Sequence, residues 1–208
     1  MVVTGGNAPP GRLLKEIRSK CQYTIAADSG IEVCIRSGIE PDLVIGDFDS
    51  LSNRNMLDLV EKERISMHPK DKGHTDTELA LLTAYKMDFE KIILAGGGGG
   101  RLDHLLGIYS AFMRERVPSE WHTDNESCIL IDKEYKGKFT IGKRISFFPV
   151  SEGETRMKSL GLKWPLDGLE WRYGSAGISN VTVAESISIT MIKGRLLMIY
   201  DHHSKDRQ

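Results

Sequence analysis

From Met1 to about Arg116, short apolar runs alternate with longer stretches in which apolar residues recur at helical spacing. The short runs predict strands over residues 1–4, 23–27, 43–45, 65–68 and 91–95. The longer stretches predict helices over 12–20, 30–37, 53–63 and 75–88, with another beginning near Asp103. Strand followed by helix, repeated, is the signature of a parallel sheet with crossover helices. Beyond Trp121 the pattern changes. SCILID, KFTIG, ISFFPV and ISITMI are alternating or β-branched and are separated by turn formers, so this half predicts an all-β fold. Residues 187–192 and 195–200 flank Lys193-Gly194, a connection suited to a hairpin. Pro118 breaks the preceding helix, and RERVPSEWHTDNE is expected to be the linker. The expected organisation is an α/β domain over 1–118 and a smaller all-β domain over 122–208.

Composition narrows the classes. A chain of 208 residues with 40% hydrophobic content can bury a real core. A formal charge of -1 argues against wholesale binding of nucleic acid or anionic membrane, which demands a concentrated excess of Lys and Arg. Cys21, Cys34 and Cys128 show no paired metal spacing and read as small buried hydrophobes in a reducing compartment. No apolar run approaches the ~20 residues of a membrane span, and MVVTGGNAPP lacks a charged region followed by an apolar one. A cytoplasmic protein is expected.

Ligands of open parallel sheets bind beyond the carboxyl ends of the strands, and five polar clusters fall there. They are Gly5-Gly6-Asn7, Asp28-Ser29-Gly30, Gly46-Asp47-Phe48-Asp49-Ser50, the segment from Pro69 to Asp76, and a run of five glycines leading to Arg101-Leu102-Asp103-His104. Asp47 and Asp49, held close, repel unless a cation sits between them, and a hard divalent ion such as Mg²⁺ takes carboxylate oxygens. The alternative is a turn in which Asp49 and Ser50 cap the following helix. Thr75 and Glu78 have capping-box spacing, which puts Asp76 in a first helical turn, either as a helix-dipole partner or as a metal ligand, beside Lys72, a cation suited to a phosphate oxygen. The glycine run suits a phosphate cradle, although Arg101 and Leu102 stand where a Walker loop has Lys and Ser or Thr. Arg101 can grip phosphate, whereas Asp103 can equally be an N-cap.

Taken in order, AADSG, PDLVIGDFDSL, PKDKGHTD, GGRLDH, GLKWPL and GISN resemble the motifs of the thiamine pyrophosphokinases across most of the chain. That resemblance implies transfer of a pyrophosphoryl group from ATP to the hydroxyl of thiamine with release of AMP. It implies a Rossmann-like domain followed by a β-sandwich, in a homodimer with sites between subunits. It places Mg²⁺ on Asp47, Asp49 and Asp76, the ATP phosphates near Lys72, Thr75 and Arg101, and Asp28 and Asp103 in the shared crevice. Ser179 and Asn180 look like the family's pair at the thiamine pocket. Trp164 resembles a tryptophan of the same family segment, but is expected in the sandwich core. Gly73 departs from the Asp of many bacterial members. Two rivals remain: a non-catalytic nucleotide or thiamine sensor, and an aspartate-dependent phosphatase built on Asp47 and Asp49.

Overall fold

The computed structural model describes residues 1–71, 73–172 and 174–202, and the chain divides into two compact units, Met1–Asn125 and Glu126–Gln208. In the first unit β1 (Val2–Thr4), α1 (Gly11–Ser19), β2 (Ile25–Ala27), α2 (Gly30–Arg36), β3 (Leu43–Gly46), β4 (Ile65–Met67), α3 (Asp76–Lys86), β5 (Ile93–Ala95), α4 (Leu102–Ala111) and β6 (Glu120–His122) follow one another. The strands pair in parallel in the order β6-β5-β1-β2-β3-β4. Both faces are covered, which is why β1 and β2 read as unbroken small or apolar triplets. On one face Val3, Ala26, Val44 and Ala95 share a core with Leu14 of α1 and Ile31, Val33 and Cys34 of α2. On the other, the Thr4 hydroxyl hydrogen-bonds that of Thr77 in α3 at 2.7 Å.

The chain runs outward from β1 through β2, β3 and β4, then returns to place β5 on the opposite side of β1. The direction of winding thus reverses between β1 and β5, and such a reversal is where a parallel sheet places its ligand crevice. Helix α3 starts as its sequence predicts. The Thr75 hydroxyl accepts from the Glu78 N–H, and the Glu78 carboxylate accepts from the Thr75 N–H. Thr75→Ala is expected to cost about 1 kcal/mol, lowering the melting temperature by roughly 2–4 °C in a thermal unfolding scan.

Two predicted elements of this unit differ. Residues 53–63 form two short 3-10 turns, Arg54–Leu59 and Lys62–Arg64, in place of an α-helix. The Asn53 side chain accepts from the Asn55 N–H at 3.0 Å, and Leu57 and Val60 are the segment's packing residues, too few for a helical stripe. Glu120–His122, expected in the linker, is a sheet strand. Trp121 is buried there, and its indole N–H donates to the Gly96 carbonyl at 2.8 Å.

The second unit contains β7 (Glu126–Ile131), β8 (Glu134–Lys138), β9 (Arg144–Pro149), β10 (Arg156–Leu160), β11 (Gly177–Val181), β12 (Ser186–Lys193) and β13 (Leu196–Asp201). All pair antiparallel, as β11-β9-β13-β7 and as β10-β12-β8. Ile145, Phe147 and Met198 of the first sheet and Met157, Ile187 and Ile189 of the second meet in one core with Trp171, which makes this half a sandwich. The predicted β12/β13 hairpin is absent, because the two strands belong to different sheets. Gly194, at φ +78°, carries the chain across, and Arg195 then joins the end of β9, its N–H donating to the Ser151 hydroxyl and its carbonyl accepting from Val150. KFTIG contributes only Lys138 to a strand.

Candidate functional site

The carboxylates of GDFDS are placed by the residue between them. Phe48 adopts φ +61°, unusual for an aromatic residue, and its side chain is buried in the core with Val44 and Ile31. Flanking it, Asp47 is half-buried and Asp49 exposed. The Asp47 Oδ1 accepts from the Asp49 N–H at 3.2 Å, so the turn is internally bonded. Asp28, also at positive φ, lies against Gly46: a Cβ there would sit 3.1 Å from the Asp28 Cα, which is why the strand ends in glycine.

The Asp28 carboxyl is displaced from the ordinary aspartate range. Burial pushes its pKa up, hydrogen bonds from the Ser50 hydroxyl and the Ser29 N–H oppose this, and the charges of Asp76 and Asp47 push it up further. Among the described residues its Oδ1 is buried with no hydrogen-bond partner. Asp28, Asp47 and Asp76 thus lie within electrostatic reach of one another. Asp49 instead meets Lys70, Nζ to Oδ2 at 2.5 Å. Among the described residues no group of three or more His, Cys, Asp or Glu is arranged to hold a metal. Asp49 thus has a cation beside it, and the charge of Asp47 acts on the same Lys70. Lys70 is the partner that the sequence left unassigned. Its only signal was its place in the loop after β4.

Asp76 is the first residue of α3, and the Thr75 hydroxyl is engaged by Glu78. Lys72 lies outside the described residues. Arg101 precedes α4 and forms a two-pronged pair with Asp103, its Nε donating at 3.1 Å and its Nη2 at 2.5 Å. Asp103 is not the N-cap, a position Arg101 holds without a capping side chain. The glycine run is largely an internal joint. The N–H groups of Gly96, Gly97 and Gly98 donate to the carbonyls of His122, Gly5 and Asn7 at 2.9, 2.7 and 3.0 Å. A phosphate cradle cannot use these three. Beside the joint lies a cavity of about 350 Å³, bounded by residues 6–9, Val33, Arg36, Ser37 and Asp124.

In the second unit Ser179 is exposed at φ +62°, within a register shift of β11, and its N–H donates to the Ser146 hydroxyl at 3.1 Å. Asn180 is 5% exposed. Trp164, expected in the core, is 53% exposed, and the core tryptophan of the sandwich is Trp171, at 4%. Trp164 lies on a connection, where burial does not follow strand alternation.

The profile described as thiamin pyrophosphokinase, catalytic domain, matches residues 14–120, and that described as thiamin pyrophosphokinase, vitamin B1 binding domain, matches residues 126–196. The chain belongs to the thiamine pyrophosphokinase family. A thiamine pyrophosphokinase of Bacillus subtilis is 31% identical over 183 residues, covering 84% of this chain and 85% of that one. A crystal structure of a family member from Geobacillus thermodenitrificans superposes with a TM-score of 0.73 at 26% identity, covering 99% of each chain. The yeast thiamin pyrophosphokinase shares the fold, with a TM-score of 0.70 at 17% identity over 96% of this chain and 86% of that one. Among the described residues, no helix of this family member is long and apolar enough to cross a membrane.

Proposed function

We propose that this chain is an ATP-dependent thiamine pyrophosphokinase, moving a pyrophosphoryl group from ATP to the hydroxyl of thiamine and releasing AMP. The observation that carries this reading is that Asp28, Asp47 and Asp76 act on one another at the carboxyl edge of the parallel sheet, where, among the described residues, one Asp28 oxygen is buried without a partner. The three are not arranged as a ready-made metal site, but a hard cation drawing them closer would give Asp28 Oδ1 a partner and relieve their mutual repulsion. Asp47 and Asp76, with Asp28 beside them, would hold Mg²⁺, and Asp49 joins by exchanging its exposed Lys70. Mg²⁺, when bound, supplies neutralisation of the polyphosphate charge and fixes its orientation.

The remaining roles fall to this chain's own side chains. Arg101 and Asp103 are 73% and 61% exposed, and an exposed pair of this kind is easily exchanged for a stronger partner. A triphosphate, with more charge, draws Arg101 away and is gripped by its planar fork. Thr75, at the start of α3, is proposed to meet the same phosphates, a role the family motif also gives Lys72, and the N-terminal end of α3 favours their charge. Asp103, once released, is left free to orient a substrate, and in the second unit Ser179 and Asn180 are the residues proposed for thiamine. Attack by the hydroxyl on the β-phosphorus then requires alignment and a carboxylate of the acidic set to accept the proton.

We further infer a homodimer. Leu102 and Leu106, one turn apart on α4, are 69% and 56% exposed, an apolar face that a second copy would cover. Light scattering at working concentration tests this. Cys21, Cys34 and Cys128 are free thiols, in keeping with the cytoplasm. Burial pushes Cys34 and Cys128 up to about 12, which leaves them inert.

The deciding experiment is AMP release from ATP measured with and without thiamine and Mg²⁺. The proposed enzyme needs both, a phosphatase liberates inorganic phosphate from a phosphoester, and a sensor liberates nothing. Asp28→Asn adds a second expectation. A carboxyl whose folded pKa is raised costs stability once it ionises, so that cost sets in as pH rises through the acid range and persists at neutrality. The Asn variant is therefore expected to melt no lower than the parent at neutral pH while losing most of its activity. A lower melting temperature together with full activity would make Asp28 a structural residue.

A further inference from the structure

The two oxygens of Glu78 have different partners. Its Oε2 closes the entrance of α3, accepting from the Thr75 N–H at 3.0 Å and from the Thr75 hydroxyl at 3.3 Å. Its Oε1 meets the guanidinium of Arg114, which comes from the segment after α4, 36 residues further along the chain. Burial pushes the Glu78 pKa up, but the Thr75 N–H and the Arg114 guanidinium outweigh it and leave the carboxyl below the ordinary glutamate range, ionised at neutral pH. The capping box therefore brings a negative charge into the first turn of α3. That charge suits the helix dipole, yet it stands three residues from Thr75, beside which the polyphosphate is proposed to lie, and like charges repel. Asp76, in the same turn, is answered by the cation proposed for it. Glu78 is answered by Arg114 instead, and with the two side chains 22% and 42% exposed, water screens the pair only in part.

The same segment grips α3 a second time, at its far end. Arg116 lies over the Tyr85 ring, 5.3 Å from the centroid, and pairs with Asp88 at 3.4 Å. Arg116 thus docks the end of the helix, whereas Arg114 acts at its entrance.

We propose that Arg114 is a positioning residue for the polyphosphate: by pairing with Glu78 it cancels the charge of the capping box, which can then hold Thr75 and Asp76 in place without repelling the substrate. Arg114 does this without touching the substrate. The proposal rests on the ATP-dependent function put forward above.

The test is a double-mutant cycle of Arg114→Gln and Glu78→Gln, with Arg116→Gln as the control, read by AMP formation against ATP concentration at saturating thiamine and Mg²⁺ and by thermal unfolding. Arg114→Gln is expected to raise the KM for ATP about 5–10-fold, the scale of a residue that acts through another, with kcat changed by less than about 3-fold. Gln at position 78 keeps an oxygen for the Thr75 N–H and removes the charge, so Glu78→Gln and the double variant are both expected within about 2-fold of the parent KM. Arg116→Gln should lower the melting temperature and leave the KM unmoved. An unmoved KM in Arg114→Gln, a double variant as impaired as Arg114→Gln, or an equal rise in Arg116→Gln overturns the proposal. Should Arg114→Gln not fold, Arg114→Met keeps the apolar stem, loses the charge, and serves in the same cycle. If the parent forms no AMP, it is the functional reading that fails. Inorganic tripolyphosphate with Mg²⁺, titrated calorimetrically into the same variants, then decides the role of Arg114: binding weakened by Arg114→Gln and restored by Glu78→Gln upholds it, and any other pattern overturns it.

Discussion

Asp47→Asn is expected to fold normally and to lose AMP formation by well over the roughly 10–100-fold that removing even an outer partner of a metal ligand costs. The substitution isolates charge. An Asn at this position keeps an oxygen where Asp47 Oδ1 accepts the Asp49 N–H at 3.2 Å, so the turn retains its internal bond. What disappears is one of the two negative charges that bear on Asp28, together with a hard oxygen ligand. The expected pattern is a melting temperature equal to or above the parent's, a large fall in kcat, and partial recovery as Mg²⁺ is raised. A folded variant with near-parental AMP production would remove Asp47 from the cation site, and the metal assignment with it.

Phe48→Ala carries the largest expected effect on stability. Its ring is 1% exposed, and truncating a buried Phe costs about 3–5 kcal/mol, a fall of roughly 6–20 °C in melting temperature for a chain of this size. The positive φ at Phe48 adds to the consequence. A residue is held there only because its surroundings over-determine it, and the anchored ring is what does so. Without it the turn relaxes, and Asp47 and Asp49 lose their fixed directions, so activity is expected to fall even well below the new melting temperature. Phe48→Leu, which refills much of the volume, is the control. Thermal unfolding and AMP release should both return most of the way towards the parent. If Phe48→Ala were fully active at low temperature, the turn would owe its shape to its internal hydrogen bonds alone.

Much of this molecule was readable from periodicity. Four of the five expected strand–helix alternations, the capping box at Thr75 and the change to alternating strands after Trp121 are local signals, because side-chain direction repeats every 2 or 3.6 residues wherever the chain lies. The family motifs likewise located Asp28, Asp47, Asp76 and Arg101 along one edge of the sheet. The failures share a different origin. Residues 120–122 looked like a linker because a three-residue strand holds too little pattern, yet Trp121 completes the sheet by reaching the Gly96 carbonyl. The hairpin expected around Lys193-Gly194 matched local turn chemistry, but which sheet each strand joins is decided by partners far away in sequence.

At the site the division is the same. The sequence determined which residues are carboxylates, which are cations and which edge of the sheet they occupy, because strand polarity and loop position follow from element order. Only the tertiary structure decided that Asp49 pairs with Lys70, that Arg101 pairs with Asp103, and that Gly96 to Gly98 bond their own neighbours rather than a ligand. It also decided that Asn180 is buried while the Trp164 indole stays outside. Pairings of this kind are chosen by competition among donors, acceptors and charges that meet only once the chain has folded, and no local period encodes the outcome.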